Sequence, residues 1–382
     1  MVKLRFAAFL LGALAPSTAM AQSAPNPGLA GIWEGTVGTL PVRACFVTQD
    51  WGTFGAYYYS SQLKLLGLEA QDGAPAAYAE VGGDQEGHWR NVRAAGNELT
   101  ATWTGARLGV SMGANRRPLP VRLHRVAGGG GENGACASVD FHRPRLAGLR
   151  TVSTRGTMDG VSYTKLALDT RGRFEIEVQT FALDGDSAAV RRINAALGTD
   201  LAGNPPGWFE CISGSLVASP VEGSENTTLE PAMISRRWLS VASTYGDSCG
   251  GAHPNDGSSY RLFDLTTGAE VELLDWFLPT AVKREHVEGA NDDLRTIEPA
   301  FRTFLLNGWH PAEGSDAECE TVLREAEYWH AGLTRDGIVF GPDLPHVVQA
   351  CGESFTIGFD RLQPWLRPEA IAAIGALRAE RR

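Results

Sequence analysis

The chain has 382 residues, a formal net charge of −10 and 20% charged residues. An acidic balance argues against nucleic acid, anionic lipid or anionic cell-wall polymer as partner, and favours a cation or a basic protein. The length predicts two domains, or three, and no run of about 18 apolar residues offers a membrane span.

The first element is a leader. MVKLR supplies Lys3 and Arg5, FAAFLLGALA is an apolar core too short to cross a bilayer, and Ala19-Met20-Ala21 is a small-x-small cleavage site. Residues 1–21 therefore read as a secretory signal peptide, and the remainder as an exported protein, periplasmic or secreted, with no membrane anchor. Losing Lys3 and Arg5 makes the mature balance more acidic still.

Residues 29–126 read as short strands. GIWEGTVGTLPVRACFV, AYYYSSQLKLLGLEA, AYAEVG, GHWRNVRAAG, NELTATWTG and LPVRLHRV mix aromatic and β-branched residues with polar ones between glycine or asparagine turns. Such spacing predicts a small antiparallel barrel or sandwich, with Trp33, Trp89 and Trp103 filling its core. GVSMG, residues 109–113, matches G-x-S-x-G, but Pro118 and Pro120 follow and prevent the helix that a nucleophile elbow requires. AGGGGENGACAS then opens a glycine-rich linker over 127–147.

Residues 148–382 mix strands with helices. VSYTKLALDT, RFEIEVQTFAL and WLSVASTYG predict strands. SAAVRRINAALG predicts a helix capped by Ser187, with Val190, Ile193 and Leu197 on one face. SYRLFDLTTGAEVELLDWF predicts a hairpin around Thr267-Gly268, and HAGLTRDGIVFG a second turning at Asp336-Gly337. TIEPAFRTFLLNG and SDAECETVLREAEYW predict helices, the latter capped by Ser315. SFTIGFDRL predicts a late strand, and PEAIAAIGALRAERR a closing helix with proline at its first position. Irregular alternation of this kind gives an α+β class.

Six cysteines in an exported chain predict disulfides. Their spacing leaves the connectivity open. Compactness favours the sequential pairs Cys45–Cys136, Cys211–Cys249 and Cys319–Cys351. No C-x-x-C pair suggests a metal site, and no phosphate or dinucleotide fingerprint suggests a cofactor.

GDSCGGAHPNDG, residues 246–257, looks like a serine-protease nucleophile loop with a cysteine inserted. The inserted Cys249 displaces the amides of an oxyanion hole, and no upstream histidine has the Ala-Ala-His-Cys context, so Ser248 is not read as a nucleophile. His346, after Pro345, stands alone in a loop and carries no specific signal.

The stretch from WLSVASTYG to LLDWF instead resembles a bacterial envelope domain, the one found in the ectodomain of the anti-sigma-V factor RsiV and in the non-catalytic part of the deacetylase PdaC. The residues that carry the resemblance are Gly250, Gly251, Ala252 and His253, then Phe263, Asp264, Leu265 and Gly268, then Leu273 to Phe277. RRINAAL and SFTIGFDRLQPWL match its flanks more weakly. The resemblance covers about residues 148–382, leaves the β domain unrecognised, and implies binding, since the anti-sigma member recognises lysozyme. It points to Gly250, Gly251, His253 and Asn255 as a binding loop for a basic protein such as lysozyme, with no catalytic set, cofactor or metal. The loop's own residues also suit a plain hairpin corner. The competing expectation is an envelope hydrolase using His253 with Asp247 or Asp256, around a cation.

Overall fold

The computed structural model describes residues 26–74, 76–82, 87–105, 117–127, 134–251, 253–286, 293–309 and 317–380. The leader at 1–21, GVSMG, the glycine run at 128–131, Ala252 and the Ser315 cap fall outside them.

Eight antiparallel strands close the first unit into a barrel: β1 (Gly31–Val37), β2 (Leu40–Gln49), β3 (Gly52–Tyr59), β4 (Leu66–Ala70), β5 (Tyr78–Val81), β6 (Gly87–Ala95), β7 (Glu98–Gly105) and β8 (Leu119–Ala127). Strand β8 returns to pair with β1, and this closure removes both sheet edges. Trp33, Trp89 and Trp103 lie in the interior with Phe46, Tyr57 and Tyr78, as the sequence predicts. Strand β3 departs from simple alternation, because Gly52 to Tyr58 are all buried. Its outward residues Phe54, Ala56 and Tyr58 are covered by Phe141, Cys136 and Leu216. A strand buried on both faces reads as a continuous apolar run.

Helix α1 (Val139–Leu146) lies inside the stretch expected to be linker. Ser138 caps it by accepting from the Phe141 amide at 3.3 Å. Eight residues with Pro144 among them give almost no helical signal in sequence; tertiary contact makes the helix. The Tyr58 hydroxyl donates to the Phe141 carbonyl at 2.7 Å, and Cys45–Cys136 ties the segment to β2. All three sequential disulfides are present.

The second unit follows as β9 (Arg150–Met158), β10 (Val161–Asp169), β11 (Ile176–Leu183), α2 (Ala188–Ala196), α3 (Phe209–Gly214), β12 (Ser224–Ile234), β13 (Trp238–Ser248), β14 (Asn255–Asp264) and β15 (Glu270–Val271). These strands form one seven-stranded sheet in the order β15-β14-β13-β12-β11-β10-β9. The β11–β12 pair is parallel, so the chain must cross over between them, and α2 and α3 lie on that crossover. Ser187 caps α2, whose Ile193 and Leu197 pack onto Phe181, Leu239 and Phe263 of the sheet.

Then come β16 (Val282–Glu285), β17 (Leu294–Ile297), α4 (Pro299–Leu306), α5 (Ala317–Glu325), β18 (Trp329–Leu333), β19 (Gly337–Pro342), β20 (Phe355–Gly358), α6 (Phe359–Leu362) and α7 (Pro368–Ala379). The predicted hairpin at Thr267-Gly268 is real, but its second arm is only β15, two residues long, before a 3-10 turn at Leu273–Trp276. Strands β18, β19 and β20 make a three-stranded sheet, whose core with α4 and α7 includes Phe301, Phe340, Leu362 and Leu377. The class is α+β, as the sequence predicts: a closed barrel, then a larger mixed sheet with helices.

The two units are joined by a buried polar lock. The fully buried Arg145 of α1 donates to Glu222 at 2.5 and 2.8 Å, to the Leu63 carbonyl of the barrel at 2.9 Å, and to the Arg173 carbonyl. It also donates to His142 Nδ1 at 2.8 Å, and His142 Nε2 in turn donates to the Cys136 carbonyl. Burial, then the Arg145 charge, hold His142 well below the usual imidazole range, so both nitrogens serve as neutral partners.

Candidate functional site

The β13–β14 hairpin projects the 246–257 stretch from one end of the seven-stranded sheet. Its register runs Trp238–Asp264 through Asp247–Asn255, which leaves residues 249–254 as the connection. Cys249 is bonded to Cys211 of α3. Gly250 has φ +92, and a β-carbon there would lie 2.6 Å from the Ser215 α-carbon. Only glycine lets the loop lie this close to the turn after α3. Gly251, His253, Pro254 and Asn255 are exposed.

The candidate residues separate by role. Gly250 shapes the loop. The His253 ring meets the edge of His346, centroids 5.4 Å apart. His346 opens a 3-10 turn whose last residue, Cys351, is bonded to Cys319 of α5. One cross-link therefore holds the root of the hairpin loop and another the segment its histidine touches. Asn255 Nδ2 donates to Asp247 Oδ1 at 3.3 Å. Cys249 Sγ also lies 3.3 Å from that oxygen, but a disulfide sulfur has no proton to donate, so this is a contact. Cys211, Asp247 and Cys249 cluster closely enough to suggest a metal site, yet the disulfide removes both thiolates as ligands. Ser248 is the last residue of β13 and sits opposite Ser224 in the register.

Beside this loop, the ends of β11, β12, β13 and β14 wall a cleft of about 560 Å³. Its lining includes Glu175, Glu177, Glu225, Asp247 and Asp256, and no lysine or arginine. Glu225 and Asp247 are direct cross-strand neighbours. Like charges so placed destabilise a sheet. Burial, then the Asp247 charge, push the Glu225 carboxyl above the usual carboxylate range, against an opposing hydrogen bond from Thr227. Glu175 has a partner in Lys64 of the barrel at 3.5 Å.

The rest of the motif builds architecture. Phe263 is fully buried beneath α2. The Asp264 carboxylate accepts from the Thr266 amide at 2.8 Å, the Thr266 hydroxyl at 2.5 Å and Arg237 at 3.0 Å, while the Gly268 amide closes the turn onto the Asp264 carbonyl at 2.7 Å. Phe-Asp-Leu-x-x-Gly is thus a turn-making sequence. Sequence reasoning missed Glu175, just before β11, Glu177 on β11 and Glu225 on β12, all far from the loop along the chain. The strand topology brings them to it.

No family model matches this chain, and no curated protein does. Among solved structures, it is similar to a DUF3298 family protein from Pseudomonas aeruginosa PAO1, at 12% identity and a TM-score of 0.32, over 58% of this chain and 95% of that one. It is also similar to a DUF3298 family member from Bacteroides fragilis NCTC 9343, at 14% identity and a TM-score of 0.32, over 60% of this chain and 97% of that one.

Proposed function

We propose that this is an exported binding protein of the cell envelope that takes a basic protein, of the lysozyme type, on the acidic end of its seven-stranded sheet. The observation that supports it is the cleft walled by Glu175, Glu177, Glu225, Asp247 and Asp256, without a basic residue among its described lining, next to the exposed Gly250, Gly251, His253, Pro254 and Asn255. Uncompensated like charge across a strand pair costs stability in the free protein, and a cationic partner relieves that cost on binding. The Gly-Gly-Ala-His motif, by its resemblance to the RsiV and PdaC domain, supplies the partner class. The Cys211–Cys249 disulfide fixes the root of the loop in advance, which lowers the entropy lost on association.

The test is to mix the purified protein with lysozyme, and separately with another basic protein of similar size, then measure complex formation and muramidase activity. A complex with lysozyme at micromolar concentration, absent with the control, is the expected result. No complex at that concentration removes this reading.

A further inference from the structure

A second constellation, away from the acidic cleft, lies on one face of the three-stranded sheet. His330 of β18 pairs across the strands with Gly341 of β19, and Phe340 beside Gly341 pairs with Phe355 of β20, next to Ser354. His330, Gly341 and Ser354 therefore form a row across three chain segments. A β-carbon on Gly341 would lie 2.2 Å from His330 Nε2 and 2.5 Å from Ser354 Oγ. The imidazole and the serine hydroxyl thus both lie over the same glycine, with no hydrogen bond yet formed between them. On its other side, His330 Nδ1 meets Asp343 Oδ1 at 2.8 Å. Tyr260 covers the ring, centroids 5.8 Å apart, and itself lies over Gly332.

The hydrogen bonding fixes the tautomer. A carboxylate can only accept, so in the neutral imidazole the proton is on Nδ1, and Nε2 presents a lone pair. That Nε2 is buried and has no hydrogen-bond partner. An unsatisfied buried acceptor costs free energy, and the hydroxyl beside it is the donor that fits. His330 and Asp343 also line a cleft of about 630 Å³, with Tyr260 and Tyr328 on its walls. Ser354 is not among the residues that line this cleft, but it is itself exposed, so a substrate reaches its hydroxyl from solvent at the side of the cleft.

We propose that Ser354, His330 and Asp343 act as nucleophile, general base and positioning residue for acyl transfer from a carboxylic ester. The Ser354 O–H bond breaks as its proton passes to the His330 Nε2 lone pair, and Oγ forms a bond to the ester carbonyl carbon. The carbon–oxygen bond to the alcohol then breaks, its electron pair leaves with the alkoxide, and the alkoxide takes the proton back from Nε2. Water repeats the sequence, releasing the acid and restoring Ser354. The cleft lining carries the four carboxylates Glu270, Glu272, Asp293 and Asp343 against the two guanidiniums of Arg261 and Arg295, so a neutral or cationic ester is favoured over an anionic one. Asp343 is 56% exposed, which weakens its hold on the imidazole relative to a sealed carboxylate. The expected reactivity is accordingly slow, and a covalent probe reads it better than turnover.

The experiment treats the full chain with a fluorophosphonate and locates the adduct by intact mass and peptide mapping. One adduct on Ser354 is expected, lost in Ser354→Ala. His330→Gln should slow labelling at least 100-fold and Asp343→Asn about tenfold, both with unchanged melting temperatures. A role confined to strand pairing would alter melting and leave no adduct in any variant. Absence of the Ser354 adduct under conditions that label trypsin to completion overturns the proposal, as does labelling of His330→Gln at the unmodified rate.

Discussion

Glu80 shows how a single carboxylate can be held against its solvation preference. It faces the barrel interior, where it accepts from Trp103 Nε1 at 2.6 Å and from the Tyr57 hydroxyl. Burial raises its carboxyl above the ordinary range despite those bonds. A raised folded-state value means the native protein holds the proton more tightly than the unfolded chain. This contribution to stability is full below the ordinary carboxyl pKa and is lost as pH rises through the folded value. Glu80→Gln keeps an acceptor oxygen and removes the charge. The variant should melt at or above the parent temperature at pH 7.5, and equal to it at pH 4; calorimetry at both values checks this, and a loss of several degrees at pH 7.5 would contradict it. Alternation in AYAEVG puts Glu80 on the same side as Tyr78, and Tyr78 is inward. Composition alone would send a glutamate outward, so its place was legible only in the parity of the strand.

At the scale of elements, the hairpin loop depends on its anchor. Cys211 and Cys249 are separated by 38 residues along the chain, and closing a loop of that size is worth about 3–4 kcal/mol in the chain-entropy account. Replacing both cysteines with serine should lower unfolding stability by roughly that amount. It should also weaken partner binding, as the 249–254 connection loses its fixed root. Denaturant titration with a binding assay on the same samples tests both, and an unchanged affinity would show that the loop is not part of the contact. Sequence made the strands of this hairpin legible through alternation, and the Thr267-Gly268 turn that ends β14 through its glycine. Helix α1 was hidden, because its stability comes from Tyr58 and the Cys45–Cys136 link and not from its own eight residues. Strand β12 was equally quiet: SENTTLEPAMI contains Pro231, where its register with β13 shifts. His330 and Ser354 gave no signal either, since neither lies in a recognisable motif and only the β18–β19–β20 pairing aligns them.

For the whole molecule, Arg145 determines how barrel and sheet are held together. It satisfies Glu222 and backbone carbonyls from both units at once. Arg145→Met leaves Glu222 with a buried, unpaired charge, a loss of about 3–5 kcal/mol. Its unfolding should then split into two transitions, barrel and α+β unit separately, whereas the parent unfolds in one; scanning calorimetry distinguishes them. Because His142 is held well below the usual imidazole range, it also sets an acid limit. Its contribution is full above the ordinary imidazole pKa and falls away as pH drops below it, since the unfolded chain then takes the proton first. The class, the antiparallel β unit and its tryptophan core could be read from alternation and spacing; barrel against sandwich stayed open, and only domain compactness favoured the cysteine pairs that formed. The acidic end of the sheet could not be read, because it exists only once β11 and β12 run parallel and bring Glu177 and Glu225 beside Asp247.

The most direct measurement is the affinity for lysozyme, by calorimetric titration at low and high salt, of the parent and of a variant carrying Glu225→Gln, Asp247→Asn and Asp256→Asn. Attraction through this cleft predicts at least tenfold weaker binding in the variant at low salt, with most of the difference gone at high salt. Equal affinities at low salt would place the contact elsewhere and contradict the account.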